Sequence, residues 1–274
     1  MIRDRRWWSW RAAAVPLAVA VAISIAVVAL VLIRPWAGSG QQSDSQLRAA
    51  IVDQLTVGAP PPPFVEATTA LLERSGYIVD YYPGEEVTVD FYRQLPTHGY
   101  DLILLRAHSG LIQGGDREGE AFIFTTESYN QMDYLDEQRA GRLLMATYSL
   151  GPDLSVELRD LPRFFGIVPD FVKSSMSGDF DGATVILMGC NGLTSESMAA
   201  AFVEKGARSV VSWDGLVTGD HTDEATERLL ELMLGSELTM GDAVARTRNE
   251  VGPDPWYGSE LLFYPEEEAV STIP

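Results

Sequence analysis

The sequence predicts an α/β fold, a three-layer α-β-α sandwich around a mostly parallel sheet, behind one transmembrane helix. Three observations predict it. From about residue 49 onward, short apolar runs alternate with segments of helical spacing, the pattern of a parallel sheet joined by right-handed crossovers. Two of those runs, YDLILLRAHSG at residues 100–110 and TVILMGCNG at residues 184–192, end in turn-forming glycines, one beside His108 and the other around Cys190, the chain's only cysteine. The third is an uncharged apolar run at residues 12–33, whose 22 residues at helical rise span about 30 Å of hydrocarbon.

The chain divides accordingly. Residues 1–11 are a basic tail with four arginines and three tryptophans, residues 12–34 the membrane span, residues 35–47 a polar linker, residues 48–266 the main domain and residues 267–274 a tail. A cleaved signal peptide would have a shorter apolar core ending in a small-residue site, so the run reads as an anchor. Arginines before the span place the N-terminus in the cytoplasm, with Trp7, Trp8 and Trp10 at one interface and Trp36 at the other. The main domain is then extracytoplasmic.

Charge narrows the partners of that domain. The chain holds 20 basic and 39 acidic residues, and beyond residue 35 there remain 15 basic and 38 acidic, a formal charge of −23. Lys173 and Lys205 are the only lysines. Such a surface excludes nucleic acid and adhesion to anionic lipid as functions of the domain. It suits either a high-salt milieu or an ordinary acidic exterior. A single cysteine forms no internal disulfide.

Element by element, residues 49–57 read as a strand, 64–74 as a helix stopped near Gly76, 77–82 as a strand and 88–95 as a short helix capped by Thr88 or the preceding Glu-rich turn. The His108 strand follows. Residues 122–172 are less regular, with β-like runs AFIFTT and RLLMATY, and read as an insertion of about residues 121–176 flanking the site. Regularity returns with the Cys190 strand, a helix at 195–205, a strand at 208–213, helices at 223–234 and 239–251 and a last extended segment at 260–264.

Neighbouring parallel strands bring their carboxyl-end residues into one crevice. His108 and Cys190 would then meet as a dyad, the imidazole taking the thiol proton and returning it to a leaving amine. Backbone amides of the glycine-flanked turns, those of Gly110 and Cys190, would hold the oxyanion. A buried, inert Cys190 is the plainer alternative.

Other candidates are weaker by their surroundings. His98, in the polar turn THGY, reads as solvent-exposed, and His221 as part of a helix N-terminus capped by Thr222 or Asp223. Three scattered histidines and one cysteine have no metal-ligand spacing, the loop GGDREGE lacks the spacing of a calcium site, and no phosphate-cradling glycine loop occurs. No metal or cofactor is expected.

The order strand-His-Ser-Gly, strand-Gly-Cys-Asn-Gly, helix, then ARSVVSWDGLV resembles the caspase-like cysteine peptidases, a group that includes caspases, gingipains, clostripain, separase and the CHAT domains. The C-terminal stretch, DEATERLLELM followed by GDAVARTRNEVGPDPWYGSELLFY, is similar in layout to CHAT domains in particular. The resemblance implies a His108–Cys190 dyad on adjacent strands. It also aligns Ser212, Trp213 and Asp214 with the strand end that lines the substrate pocket in caspases. Asp214 in that pocket would favour Arg or Lys before the cut bond, or it is a solvated turn residue; Trp213 either walls a groove or packs in the core. Met188, two before the cysteine, supplies no acidic pocket. Ser109 stands where the family has Gly after the histidine, and Gly189 where Ala commonly precedes the cysteine. Two functions fit: a membrane-anchored extracytoplasmic cysteine endopeptidase acting on a protein or peptide, or a catalytically inactive caspase-like binding or sensor module on the membrane.

Overall fold

The computed structural model describes residues 46–147, 161–236 and 238–270. The expected membrane span, basic tail and most of the linker lie outside the described residues. Among the described residues no helix is long and apolar enough to cross a membrane.

A six-stranded sheet carries the domain. It contains β1 (Arg48–Asp53), β2 (Ile78–Pro83), β3 (Leu102–Arg106), β8 (Thr184–Leu187), β9 (Ser209–Trp213) and β10 (Leu261–Tyr264), in the order β10-β9-β8-β3-β1-β2. All neighbours pair in parallel except β10, which runs antiparallel to β9. The central strands are apolar on both faces because helices cover both. Ile103, Leu105, Val185 and Leu187 pack into one core, while Leu102, Leu104, Ile186 and Met188 pack into the other.

The helices divide between the two faces. α1 (Pro63–Arg74), α6 (Gly219–Gly235) and α7 (Met240–Val251) supply Phe64, Leu72, Leu229 and Val244 to the second core. α2 (Val89–Gln94), α4 (Pro169–Ser175) and α5 (Ser197–Glu204) supply Tyr92, Phe171 and Phe202 to the first. The result is three layers. Local signals set several ends: Pro63 occupies the first turn of α1, and the Thr88 hydroxyl accepts from the Phe91 amide at 3.1 Å to cap α2.

The His108 segment departs from the expected single strand. β3 ends at Arg106, and Ser109–Leu111 form β4 of a separate antiparallel sheet with β5 (Ala121–Ser128), β6 (Leu143–Ala146) and β7 (Phe164–Ile167), in the order β4-β5-β7-β6. The expected irregular insertion is therefore a sheet that begins at residue 109; the short helix α3 (Leu135–Arg139) lies within it. One face of it buries Ala121, Ile123, Phe165 and Ile167 in the first core, and this burial holds the two sheets together. His221 also differs from expectation. It lies inside the first turn of α6, whose N-cap is Thr218, and it is buried with its ring 5.2 Å from that of Trp213. His98 is half-buried among Tyr82, Phe91 and Tyr100 rather than solvent-exposed. The tail beyond residue 266 starts with a 3₁₀ turn, Glu266–Val270, which with α7 and β10 lines a cavity of about 480 Å³.

Candidate active site

β3 and β8 are hydrogen-bonded neighbours, so the residues just past their carboxyl ends share one crevice. His108 and Cys190 are those residues. The tips are joined directly, since the Ser109 hydroxyl donates to the Cys190 carbonyl at 2.5 Å and the Met188 amide donates to the Leu105 carbonyl at 2.8 Å.

Cys190 is half-buried on a turn that steric crowding shapes. Asn191 adopts φ 62°, and its amide donates to Gly215 at 2.7 Å. A Cβ on Gly189 would collide with Ser109 Oγ and the Ala107 carbonyl, and one on Gly192 with Ser212 Oγ and Leu187. Positions 109 and 189 are thus linked: the hydroxyl of Ser109 fills the space that a methyl group at position 189 would need. Gly189→Ala is expected to destabilise the domain by about 1–3 kcal/mol, because it forces carbonyl and hydroxyl apart. A urea midpoint unchanged from the wild type would disprove this interlock.

The sulfur itself lies against the β9–α6 connection. Val217 donates its amide to Sγ at 3.5 Å, and Sγ faces the Val217 carbonyl at 3.6 Å. Burial pushes the thiol above its ordinary value of 9.0; the Val217 amide works against that, and the nearby Asp254 charge adds to it. His108 moves the other way. Its side chain is exposed, yet the surrounding protein displaces enough water that burial pulls it below 6.5, and the positive charge of Arg106 pulls in the same direction.

Both shifts favour uncharged forms, so at neutral pH the pair rests as thiol and neutral imidazole. A neutral imidazole is what a general base must be. The acid limb of kcat/KM against pH should therefore fall below 6.5, since protonating His108 removes the base. A limb above 6.5 would show that another group titrates.

The position of His108 is fixed from both sheets. Its amide donates to Gln54 Oε1, at the tip of β1, at 2.9 Å, and its carbonyl accepts from Phe124 of β5 at 2.9 Å. That second bond also sets the phase of the β4–β5 ladder. The Ile112 amide donates to Glu120 at 2.9 Å, and Gly110 pairs with Phe122 midway between these two bonded pairs. Antiparallel ladders alternate, so Gly110 falls on a hydrogen-bonded pair and its amide is spent on Phe122. Gly110 is thus removed as an oxyanion donor. Ser109, on the opposite phase, turns its amide away from β5 at the open edge of that sheet, beside Cys190. The Cys190 amide makes no hydrogen bond among the described residues. Of the amides at these two tips, those of Ser109 and Cys190 stay outside the ladder.

Trp213 and Asp214 are placed less favourably. Trp213 is 1% exposed and donates its indole N–H to Thr222 at 2.9 Å; it is core, not the wall of a groove, because β9 turns it under α6. Asp214 is exposed just past β9, where one carboxylate oxygen accepts from the Glu260 amide at 2.8 Å. Gln54, Val217 and Asp254 were not legible as site residues; Gln54, directly following β1, carried the one usable signal, since it too sits at a strand's carboxyl end. Among the described residues no group of His, Cys, Asp and Glu is arranged to hold a metal ion.

No family model matches the chain, and no curated protein does. Among solved structures, the chain is similar to the crystal structure of the Arg specific cysteine proteinase gingipain R (RGPB), with 10% identity and a TM-score of 0.41, over 82% of this chain and 45% of that one. The chain thus spans less than half the length of that protein. A likeness so distant carries no argument about chemistry, which rests on the residues themselves.

Proposed function

We propose that the domain is a caspase-like cysteine endopeptidase. Cys190 attacks a peptide carbonyl, His108 takes the thiol proton and passes it to the leaving amine, and the amides of Ser109 and Cys190 receive the oxyanion. The observation that carries this reading is the joining of the two strand tips through the Ser109–Cys190 hydrogen bond, which puts the imidazole and thiol residues on adjacent strand ends. The alternative, a catalytically silent binding module, gives no reason for a half-buried thiol beside an unbonded amide and a neutral imidazole.

The finer points are part of the same proposal. Residues 12–34 anchor the chain in a membrane with the domain on the extracytoplasmic side, a reading supported by the arginines before the span. Asp214 keeps one oxygen for a basic side chain before the cut bond, giving a preference for Arg or Lys.

The test is cleavage by the full-length chain, in detergent, of a fluorogenic peptide panel varied at the residue before the leaving group. Arg or Lys peptides should be cut fastest, and Asp214→Ala should remove that preference while leaving cleavage of other peptides. Equal rates for basic and uncharged residues would sink the Asp214 assignment. No cleavage of any peptide would sink the peptidase.

A further inference from the structure

We propose that Leu216, Trp256 and Tyr257 form an apolar ridge beside Cys190 that binds an apolar side chain of the peptide substrate, close to the bond that is cut. This deepens the peptidase reading and rests on it. The three residues are 47%, 82% and 57% exposed, and they come from two separate connections, β9–α6 and α7–β10. Large apolar side chains left in water on a fixed backbone mark binding surfaces.

The backbone beneath them is fixed. The β9–β10 ladder, which ends at the Trp213–Leu261 pair, continues as cross-links between the two connections. Asp214 and Glu260 exchange hydrogen bonds, and the Ser259 hydroxyl donates to the Leu216 carbonyl at 2.6 Å. Asp254, 1% exposed, then takes four bonds through its carboxylate: the amide and hydroxyl of Thr218 at 2.8 and 2.9 Å, and the amides of Trp256 and Tyr257, both at 2.9 Å.

The ridge runs directly into the site. Thr218 follows Val217, whose amide and carbonyl flank Sγ, and Asp254 is near enough for its charge to act on the thiol. A substrate held across Cys190 therefore passes the ridge. A second copy of the chain is a poor occupant by comparison, because the charge of −23 beyond residue 35 sets like surfaces against each other.

The probes are peptidyl acyloxymethyl ketones that differ only in carrying Leu, Phe or Ser at one position, applied to the full-length chain. Cys190 displaces the carboxylate: the thiol proton passes to His108, a carbon–sulfur bond forms, the carbon–oxygen bond breaks, and the carboxylate leaves with its electron pair. Intact-mass spectrometry follows the rate, and iodoacetamide serves as a small control. At one or more positions Leu or Phe should label at least about tenfold faster than Ser, the scale of a well-filled apolar contact. In Trp256→Ser/Tyr257→Ser, which keeps both backbone amides on Asp254, the ratio should fall below about twofold with the iodoacetamide rate unchanged.

Labelling without an apolar preference, or a preference that survives in the variant, overturns the ridge and leaves the peptidase standing. Self-association that disappears in the variant while the preference persists assigns the ridge to a second copy, which also overturns it. Normal iodoacetamide labelling with no peptidyl labelling overturns the peptidase reading and the ridge together.

Discussion

Cys190→Ala should reduce peptide cleavage to background, and His108→Ala should reduce it by about 10²–10⁴-fold, the usual contribution of a positioned general base. The two losses should not add. With the imidazole gone, the thiol, already pushed above its ordinary value by burial, has nothing to receive its proton. Neither change should unfold the domain, because Cys190 is half-buried and His108 exposed. Circular dichroism and a urea midpoint close to the wild type would confirm that the loss is chemical. Cleavage that survives Cys190→Ala would assign the reaction to another group, or to a contaminant.

Arg106→Met should have the largest effect on stability, about 3–5 kcal/mol, because it strands a buried carboxylate. Arg106 donates to both oxygens of Asp223, at 2.8 and 3.0 Å, and to Asp53 at 2.8 Å, and the Asp53 side chain is 0% exposed. Thr56 would remain as a hydrogen-bond donor to Asp53, but a hydroxyl does not neutralise a charge. Chemical denaturation followed by tryptophan fluorescence would read the loss, and a shift under about 1 kcal/mol would show that the ion pairs of Arg106 add little to stability.

The same substitution has a kinetic signature. Arg106 stands two residues before His108, and its charge helps to keep the imidazole below its ordinary value. Removing that charge raises the value, so the acid limb of any surviving activity should move to higher pH. Burial, the larger cause, remains and limits the shift.

The regular α/β elements were legible because their signals are local. α1, α7 and the parallel strands follow from apolar periodicity, and the Thr88 cap from one side chain facing the amide three residues on. His108 and Cys190 were legible as site residues for a related reason: each closes an apolar run with a turn. What lies across the crevice was not legible. Nothing in the run RAHSG marks where one sheet ends and another begins; that is decided by pairing between Ser109 and Ile123, which needs the tertiary fold. The same holds for Gly110, a natural oxyanion donor by composition that the phase of the ladder removes. Trp213 read equally well as groove or core, and helix α6, packed over β9, decides it.

The break between β3 and β4 has a mechanical consequence. His108 is the joint between two leaves, tied by its amide to the tip of β1 and by its carbonyl to β5, and the next residue, Ser109 of the small leaf, holds the Cys190 carbonyl. Base and nucleophile are therefore held from the same small leaf, and the first core, which that leaf shares with the large one through Ala121, Ile123, Phe165 and Ile167, resists a change in their spacing. The small sheet is thus a brace for the crevice, and its packing on the shared core supports the two strand tips from the side away from the helices of the second core.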